Sequence, residues 1–283
     1  MIRLAAGDWR ATLRPDLGGA VASLSWRGED VFRPTPGDAD DALQTACFPL
    51  VPYANRIDGG WFVFAGETVQ LTPTSGFEPH ALHGEGWRRP WAVEKVDEAS
   101  AVLSLSHPRG DWPWAWAARQ AIRLNEGGLQ IELAVTNQDA RPMPAGLGLH
   151  PYFVRTAGAE LALGAREVWE VDDRLIPVRL ALPAAVFDWS EGRRLDQAPF
   201  VDHAYAGWDG VARIRDGRRS VSLQASAGAR WVHVFAPAGE DFFCVEPVTH
   251  RPNAVNAPVG EPGAMPVLQP GETATVTLTI TAA

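Results

Sequence analysis

Cysteine and long apolar runs are both scarce in this sequence. Cys47 and Cys244 are the only cysteines among 283 residues, which is too few to staple a scaffold, so we expect two reduced thiols. No apolar run approaches the length of a transmembrane helix, and residues 1–10 carry charges without the apolar core of a signal peptide. These features predict a cytoplasmic protein that has no membrane as a partner.

Positive charge is also in short supply. The chain has 25 lysines and arginines against 34 aspartates and glutamates, and its formal net charge is -9. Nucleic acids and anionic membranes are bound by basic surfaces, so the charge balance argues against both as partners. A small molecule is the expected partner, and we expect a monomer or a weak homodimer.

Helical periodicity is missing almost everywhere, and a period of two replaces it. Apolar and polar residues alternate in residues 101–106, 129–135 and 221–224. The clearest case is TATVTLTIT at residues 273–281, where the valine, leucine and isoleucine fall on one side and the threonines on the other. These segments predict strands with one buried face.

Turn sequences separate the alternating segments. Asp216-Gly217 lies between residues 211–215 and 219–223, an arrangement that predicts a hairpin. No repeat or composition break marks a domain boundary. We therefore predict an all-β fold in which residues 1–283 form a single large antiparallel β-sandwich. At most, short helical turns are expected near residues 38–46 or 188–195.

Several polar residues stand directly beside apolar segments. They are Asn55 and Arg56 after a proline-bounded apolar stretch, His80 and His83 in PHALHGEG, His150 after GLGL, Asp202 before His203, and Glu246 after FFCV. A lone histidine at a strand end is more often structural than catalytic. A carboxylate at the end of an apolar strand is costly to bury unpaired, so Glu246 is the strongest single candidate for a functional residue.

The spacing of these residues argues against a metal site. His80 and His83 are three residues apart and would face opposite sides of an extended segment. The sequence has no His-x-x-x-His or Cys-x-x-Cys pair, and no strand with two histidines one residue apart. The GLGL segment before His150 lacks the context of a phosphate-binding loop. We therefore predict no metal and no cofactor.

Taken in order, several segments resemble the aldose 1-epimerase (galactose mutarotase) family, and together they cover nearly the whole chain. They are FPLVPYANRI at residues 48–57, LHG at 82–84, WPW at 112–114, LQIELAVTN at 129–137, GLGLHPYF at 146–153, VDH at 201–203, and CVEPVT at 244–249 with PNA at 252–254. The resemblance implies a β-supersandwich and a cofactor-free enzyme, an isomerase that interconverts the α and β anomers of a free aldose.

The same resemblance implies a role for each candidate. It implies His150 as general acid, Glu246 as general base, Asn55 and Arg56 as sugar contacts, His83 as the histidine near the ring oxygen, and Asp202 as the carboxylate that binds sugar hydroxyls. One position departs from the family pattern. Where many members have glutamine before a strand, this chain has His233, which we include among the predicted substrate contacts.

Ring opening needs a base at the C1 hydroxyl and an acid at the ring oxygen. We expect Glu246 to be ionised and His150 to be protonated in the resting enzyme, because nearby carboxylates favour imidazolium. An aromatic residue such as Trp87 or Phe153 could form an apolar wall for the sugar.

Two alternative functions remain open at this point. A hexose-6-phosphate 1-epimerase would need additional cations for the phosphate, and Arg88-Arg89 could supply them. A non-catalytic sugar-binding module could retain Arg56 and Asp202 but would not require both an acid and a base. The sequence does not identify the preferred aldose.

Overall fold

Strands make up most of the ordered structure. The computed structural model describes residues 1–217, 219–258 and 260–283. The first strands in chain order are β1 (Ile2–Ala6), β2 (Trp9–Arg14), β3 (Ala20–Trp26), β4 (Glu29–Asp30), β5 (Cys47–Leu50), β6 (Arg56–Ile57), β7 (Trp61–Phe64), β8 (Glu67–Gln70), β9 (Ala81–Leu82), β10 (Ala92–Val96), β11 (Ser100–His107), β12 (Trp116–Asn125) and β13 (Gly128–Asn137). They are followed by β14 (Met143–Pro144), β15 (Gly148–Val154), β16 (Glu160–Leu163), β17 (Glu167–Val171), β18 (Pro177–Ala181), β19 (Arg193–Arg194), β20 (Val201–Ala206), β21 (Val211–Asp216), β22 (Arg219–Ala225), β23 (Trp231–Ala236), β24 (Phe242–Val248), β25 (Val267–Leu268) and β26 (Thr273–Ala282).

In the residues that the structure describes, helical structure is confined to single turns of 3-10 helix. Within the described ranges these turns are Ala42–Gln44, Asp58–Gly60, Gly86–Arg88, Pro183–Ala185, Leu195–Gln197 and Ala254–Asn256. The first lies inside the predicted segment 38–46, whereas the turn expected near 188–195 begins only at Leu195. No helix in the described part of the chain is long and apolar enough to cross a bilayer.

The segments of alternating polarity are strands, as predicted. The alternating stretches at 101–106, 129–135 and 221–224 fall in β11, β13 and β22, and the C-terminal stretch forms β26. The predicted hairpin is also present, because β21 and β22 pair in antiparallel register with Asp216 opposite Arg219.

Two large antiparallel sheets form the body of the structure. The larger sheet has eleven strands in the order β1-β2-β3-β5-β15-β24-β23-β20-β17-β18, with β4 paired to β3. The smaller sheet has nine strands in the order β10-β11-β12-β13-β26-β22-β21-β16-β19. Three two-stranded ribbons, β14–β25, β6–β9 and β7–β8, complete the pairing among the described residues. The predicted all-β, antiparallel sandwich is therefore confirmed.

The main hydrophobic core lies between the two sheets. It combines side chains such as Leu133 and Leu278 from the nine-stranded sheet with Phe243 and Val245 from the eleven-stranded sheet. The other face of the nine-stranded sheet is more exposed, so β11 and β13 alternate between buried and accessible residues. This arrangement explains why the period of two is so clear in those strands.

The eleven-stranded sheet is covered on both faces. Its second face carries a separate apolar cluster that includes Phe48, Trp87, Tyr152, Ala204 and Cys244. Because neither face is open to solvent along β15 and β24, nearly every residue of these strands is buried. The polar candidate residues lie on this second face.

Candidate active site

Strand register brings the proposed acid and base together. β15 and β24 pair with Gly148 against Val248, which places His150 opposite Glu246, two residues further along each strand. On the other side of β24, Glu246 is opposite His233 of β23. Directly opposite residues of an antiparallel sheet point to the same face, so these three side chains form one row across three strands.

Asp202 joins this row from the next strand. β20 and β23 pair with Ala204 opposite His233, and Asp202 lies two residues from Ala204 on the same face. Asp202 Oδ1 lies 2.5 Å from His233 Nε2. Asp202 Oδ2 accepts a hydrogen bond of 3.3 Å from Arg56 Nη2. The carboxylate is therefore held between a histidine and an arginine.

The acid–base pair itself is close and buried. His150 Nε2 lies 3.3 Å from Glu246 Oε1. The two residues are 6% and 2% exposed. His150 Nδ1 and Glu246 Oε2 are buried and have no hydrogen-bond partner among the described residues. Buried polar atoms in native proteins are usually satisfied, so two unsatisfied atoms on adjacent side chains mark this place as unusual.

Asn55 and His83 occupy unusual backbone positions beside the pair. Both have left-handed φ values, 60° for Asn55 and 59° for His83, which are uncommon for residues other than glycine and often mark functional sites. The Asn55 backbone N–H donates to His83 Nδ1 at 3.0 Å. The His83 backbone N–H donates in return to the Asn55 carbonyl at 3.0 Å.

This contact sets the tautomer of His83. Because Nδ1 accepts a hydrogen bond, the neutral ring carries its proton on Nε2 and presents a donor. Burial, followed by the charge of His150, holds the pKa of His83 well below its usual value, so the neutral form is favoured. His83 packs edge-on against His150, with ring centroids 5.4 Å apart.

The Asn55 side chain connects the backbone segment of Asn55 and Arg56 to the charged residues of the site. Asn55 Oδ1 accepts hydrogen bonds from the Arg56 backbone N–H at 2.9 Å and from Arg56 Nη1 at 3.3 Å. Asn55 Nδ2 lies 3.5 Å from the His233 ring nitrogens. Asn55, Arg56, Asp202 and His233 therefore form one polar network along one side of the site.

An aromatic stack fixes the plane of the His150 ring. Phe48 stacks on His150 with centroids 4.7 Å apart, and Tyr152 stacks on it at 4.6 Å and an interplanar angle of 17°. The guanidinium of Arg33 lies over the Tyr152 ring, 3.9 Å from its centroid. Stacking of this kind leaves the imidazole little freedom to rotate, so its ring nitrogens keep one direction.

Burial controls the charges of the central pair. It raises the pKa of Glu246 well above the usual range, and the nearby charge of Asp202 adds to that effect. Burial also lowers the pKa of His150 to about 3, with a further contribution from the charge of His233. The expectation of an ionised Glu246 and a protonated His150 in the resting enzyme is therefore wrong, because burial favours the uncharged form of each residue.

Asp202 behaves differently because it has partners. Burial alone would raise its pKa, but the hydrogen bond from His233 and the charges of His233 and Arg56 outweigh burial and hold it at about 2. Asp202 is therefore a carboxylate at neutral pH.

All seven predicted site residues line one pocket. The pocket encloses about 640 Å³, including the open space at its mouth. Its lining consists of Asn55, Arg56, His83, His150, Asp202, His233 and Glu246, together with the apolar or aromatic residues Leu43, Phe77, Leu82, Tyr152 and Phe235. A pocket of this size with one apolar side and converging polar groups is typical of a small-molecule site.

The predicted apolar wall is partly wrong. Trp87 does not line the pocket but stacks behind Phe48, with centroids 5.6 Å apart. Phe153 belongs to the core between the sheets, because it is three residues from His150 and points to the opposite face of β15. Tyr152 and Phe235, which sequence reasoning missed, line the pocket instead. The signal for Tyr152 was its i+2 position relative to His150.

The arginines considered for a phosphate lie elsewhere. Arg88 lines a separate cleft that it shares with Asp16 and Asp40. Arg89 Nη2 donates to Glu85 Oε1 at 2.9 Å. Arg56 is the single lysine or arginine among the described residues that line the main pocket.

One group of described residues has the donor atoms of a metal site. The ligand atoms of His150, Cys244 and Glu246 all lie within 4.8 Å of one another, and all three residues are buried. Cys244 and Glu246 form a Cys-x-Glu pair on β24, which places both side chains on one face of the strand.

The chain has relatives among known proteins. A family model described as aldose 1-epimerase matches residues 1–281. The uncharacterised protein YphB of Escherichia coli K12 is 32% identical over 271 residues, which cover 92% of this chain and 91% of YphB. A protein named aldose 1-epimerase, also from Escherichia coli K12, is 32% identical over 163 residues, or 50% of this chain and 46% of that protein.

Solved structures agree with the observed fold. A crystal structure of a candidate aldose 1-epimerase from Escherichia coli K12 has a TM-score of 0.90 and 28% identity, covering 99% of this chain and 98% of that chain. The GalM/aldose epimerase homologue from C. elegans has a TM-score of 0.84 and 21% identity, covering 100% of this chain and 98% of that chain. The second likeness concerns the fold alone, and together they confirm the predicted galactose mutarotase-like architecture.

Proposed function

Because the chain belongs to the aldose 1-epimerase family, we propose that it is itself an aldose 1-epimerase, which interconverts the α and β anomers of an unphosphorylated aldose. One observation carries this proposal: His150 Nε2 and Glu246 Oε1 face each other at 3.3 Å inside a buried pocket. The two oxygens that must exchange protons, O1 and O5 of the sugar, are bonded to the same carbon. An acid and a base for this reaction must therefore lie close together, as these two do.

In the proposed reaction the pair moves two protons in opposite directions. Once the proton of the resting pair has passed from Glu246 to His150, Glu246 takes the proton of the C1 hydroxyl while His150 gives a proton to O5, and the C1–O5 bond breaks to leave a free aldehyde. Rotation about C1–C2 presents the other face of the aldehyde. His150 then takes the proton back from the O5 hydroxyl as it attacks C1, and Glu246 returns a proton to O1. No external reactant is consumed.

The surrounding residues would bind and orient the sugar. His83 presents an Nε2–H donor, since its Nδ1 already accepts from the backbone of Asn55. Arg56, Asp202 and His233 offer donors and acceptors to the sugar hydroxyls from the polar network. The apolar side of the pocket would cover the C–H face of the ring.

The charges of the pocket favour a free sugar over a sugar phosphate. Arg56 is the one basic side chain of the described lining, and it already donates to Asp202. Within the described lining, a phosphate would meet the carboxylate of Asp202 without a free arginine to offset the repulsion. This argues against a hexose-6-phosphate 1-epimerase.

Polarimetry of freshly dissolved α-glucose and α-galactose tests the proposal. We expect the protein to accelerate the approach to anomeric equilibrium beyond the spontaneous rate, with full activity in the presence of EDTA. Glucose 6-phosphate, followed under the same conditions, should be converted much more slowly. Sugar binding without any acceleration would contradict catalysis and favour the non-catalytic module, and a preference for glucose 6-phosphate would favour the phosphate branch.

A further inference from the structure

Cys244 lies next to the acid–base pair on the same face of the sheet. It is two residues before Glu246 on β24 and belongs to the apolar cluster on the pocket side. Register sets Cys244 opposite Tyr152, the neighbour of His150 in the aromatic stack. The proposed reaction gives this thiol no task.

The three donors have the spacing of a four-coordinate metal site. Zinc bonds of about 2.0–2.1 Å to nitrogen or oxygen and about 2.3 Å to sulfur, in a tetrahedral arrangement, place ligand atoms about 3.3–3.6 Å apart. His150 Nε2 and Glu246 Oε1 are already 3.3 Å apart. The ligand atoms of all three residues lie within 4.8 Å of one another, so only a small side-chain adjustment separates them from the spacing of a bound metal.

The charges of these donors also suit a dication. A thiolate and a carboxylate together cancel the charge of Zn²⁺, while the neutral imidazole adds a third bond. Glu246 Oε2 and His150 Nδ1 are buried and have no hydrogen-bond partner among the described residues. No hydrogen bond at these two atoms therefore holds either side chain away from a metal. A fourth position would face the pocket, where water or a sugar hydroxyl could bind.

We propose that His150, Cys244 and Glu246 form an inhibitory site for Zn²⁺ or another thiol-preferring divalent ion. Binding releases two protons to solvent, one from the Cys244 thiol and one from the His150–Glu246 pair, and the metal takes their place. The inhibition rests on the proposed function, because the metal would occupy both groups that move protons. Mg²⁺ and Ca²⁺, which prefer oxygen ligands, should not bind here.

Cobalt absorption tests the site without any use of enzyme activity. Co²⁺ bound to a thiolate gives an intense near-ultraviolet charge-transfer band, and Zn²⁺ should displace it. Cys47 provides a matched control, because it is the other cysteine, is equally buried, and belongs to the core between the sheets. Cys47→Ala should retain the band, which then can arise only from Cys244, and Cys244→Ala should lose it.

Inhibition is the second measurement. Micromolar Zn²⁺ should slow anomer exchange many-fold in the wild type and in Cys47→Ala, and EDTA should restore the rate. Cys244→Ala should keep its basal rate and resist Zn²⁺. A missing band in Cys47→Ala, or a band that persists in Cys244→Ala, would overturn the site even if no sugar is converted. If the band behaves as expected but Zn²⁺ leaves the rate of the active enzyme unchanged, the inhibitory role is wrong.

Discussion

The protonation of two buried neighbours, His150 and Glu246, is the central feature at the scale of single residues. Burial favours neutral His150 and protonated Glu246, and that pair holds as many protons as an imidazolium beside a carboxylate. The two forms differ only in where the proton sits, across 3.3 Å. In the proposed cycle the sugar delivers one proton as it receives another, so the pair passes between these forms without exchange with solvent.

Removal of either group should block the reaction without unfolding the protein. Glu246→Gln and His150→Asn should each lower kcat by about 10²–10⁴-fold, because each removes one positioned proton carrier. Polarimetry gives the rates and circular dichroism checks the fold. The exposed Glu98 supplies a matched control, since Glu98→Gln should leave the rate unchanged. Rates close to the wild type in both pocket variants would refute the mechanism.

The dependence of activity on pH should differ from that of an ordinary histidine enzyme. A second proton reaches the pair only as the pH approaches the lowered pKa of His150, about 3. The first proton leaves only above the raised pKa of Glu246. Since the active pair holds one proton, kcat/KM should stay flat through pH 6.5, where a free imidazole titrates. After subtraction of the spontaneous rate, an acid limb centred near pH 6.5 would contradict this assignment.

Close packing between β15 and two neighbouring segments matters most at the scale of elements. A Cβ added at Gly146, just before β15, would lie 1.9 Å from Cδ2 of His250. His250 Nε2 accepts a 3.1 Å hydrogen bond from the Ala54 backbone N–H, next to Asn55. Glycine at this position therefore leaves room for His250, whose hydrogen bond to Ala54 fixes the segment that carries Asn55 and Arg56.

Gly146→Ala should disturb both stability and the site. Overpacking of this kind typically costs about 1–3 kcal/mol, and displacement of His250 should also raise KM through Asn55 and Arg56. Gly37→Ala is the matched control, because nothing lies within 4 Å of its added Cβ and its φ is not positive. Urea unfolding and polarimetry give the two readouts. Equal stability of the two variants would show that the His250 contact has no such role.

Local pattern predicted the strands but not how distant strands meet. The alternation in β11, β13 and β26 was sufficient because one face of the nine-stranded sheet is accessible. β15 and β24 are buried on both faces, so they show no alternation, and nothing in the local sequence specifies that they pair across almost one hundred residues. The family resemblance supplied His150 and Glu246, whereas their charge states depend on burial, which the sequence does not give.

Side-chain direction within a strand was the part that could have been predicted. Once His150 is placed on the pocket face, the period of two puts Tyr152 on that face and Phe153 on the other. The same rule puts Cys244 beside Glu246. The prediction of Phe153 as an apolar wall ignored this parity, and the same parity was not applied to Cys244.

Burial of several neutral histidines is a property of the whole molecule. Burial lowers the pKa of His150 to about 3 and that of His250 to about 4, and it also lowers the pKa values of His80, His83 and His203. The unfolded chain binds protons at these residues near pH 6.5, where the folded protein does not. Glu246, whose pKa is raised, acts in the opposite direction, but it is a single group.

The protein should therefore lose stability as the pH falls below about 6.5. Between pH 6.5 and 4 the unfolded state binds more protons, so acid favours unfolding, by up to about 1.4 kcal/mol per pH unit for each fully buried histidine. Urea midpoints measured from pH 7.5 to 4.5 should fall steadily. His250 lies outside the pocket lining, so His250→Gln removes no proposed catalytic group. This variant should take up as much as one proton fewer on unfolding, so its stability should fall less steeply with falling pH. Stability that is constant or rises between pH 7 and 5 would mean that these histidines are protonated in the folded state. The same result would contradict a neutral His150, and the flat pH profile of activity depends on that neutral form.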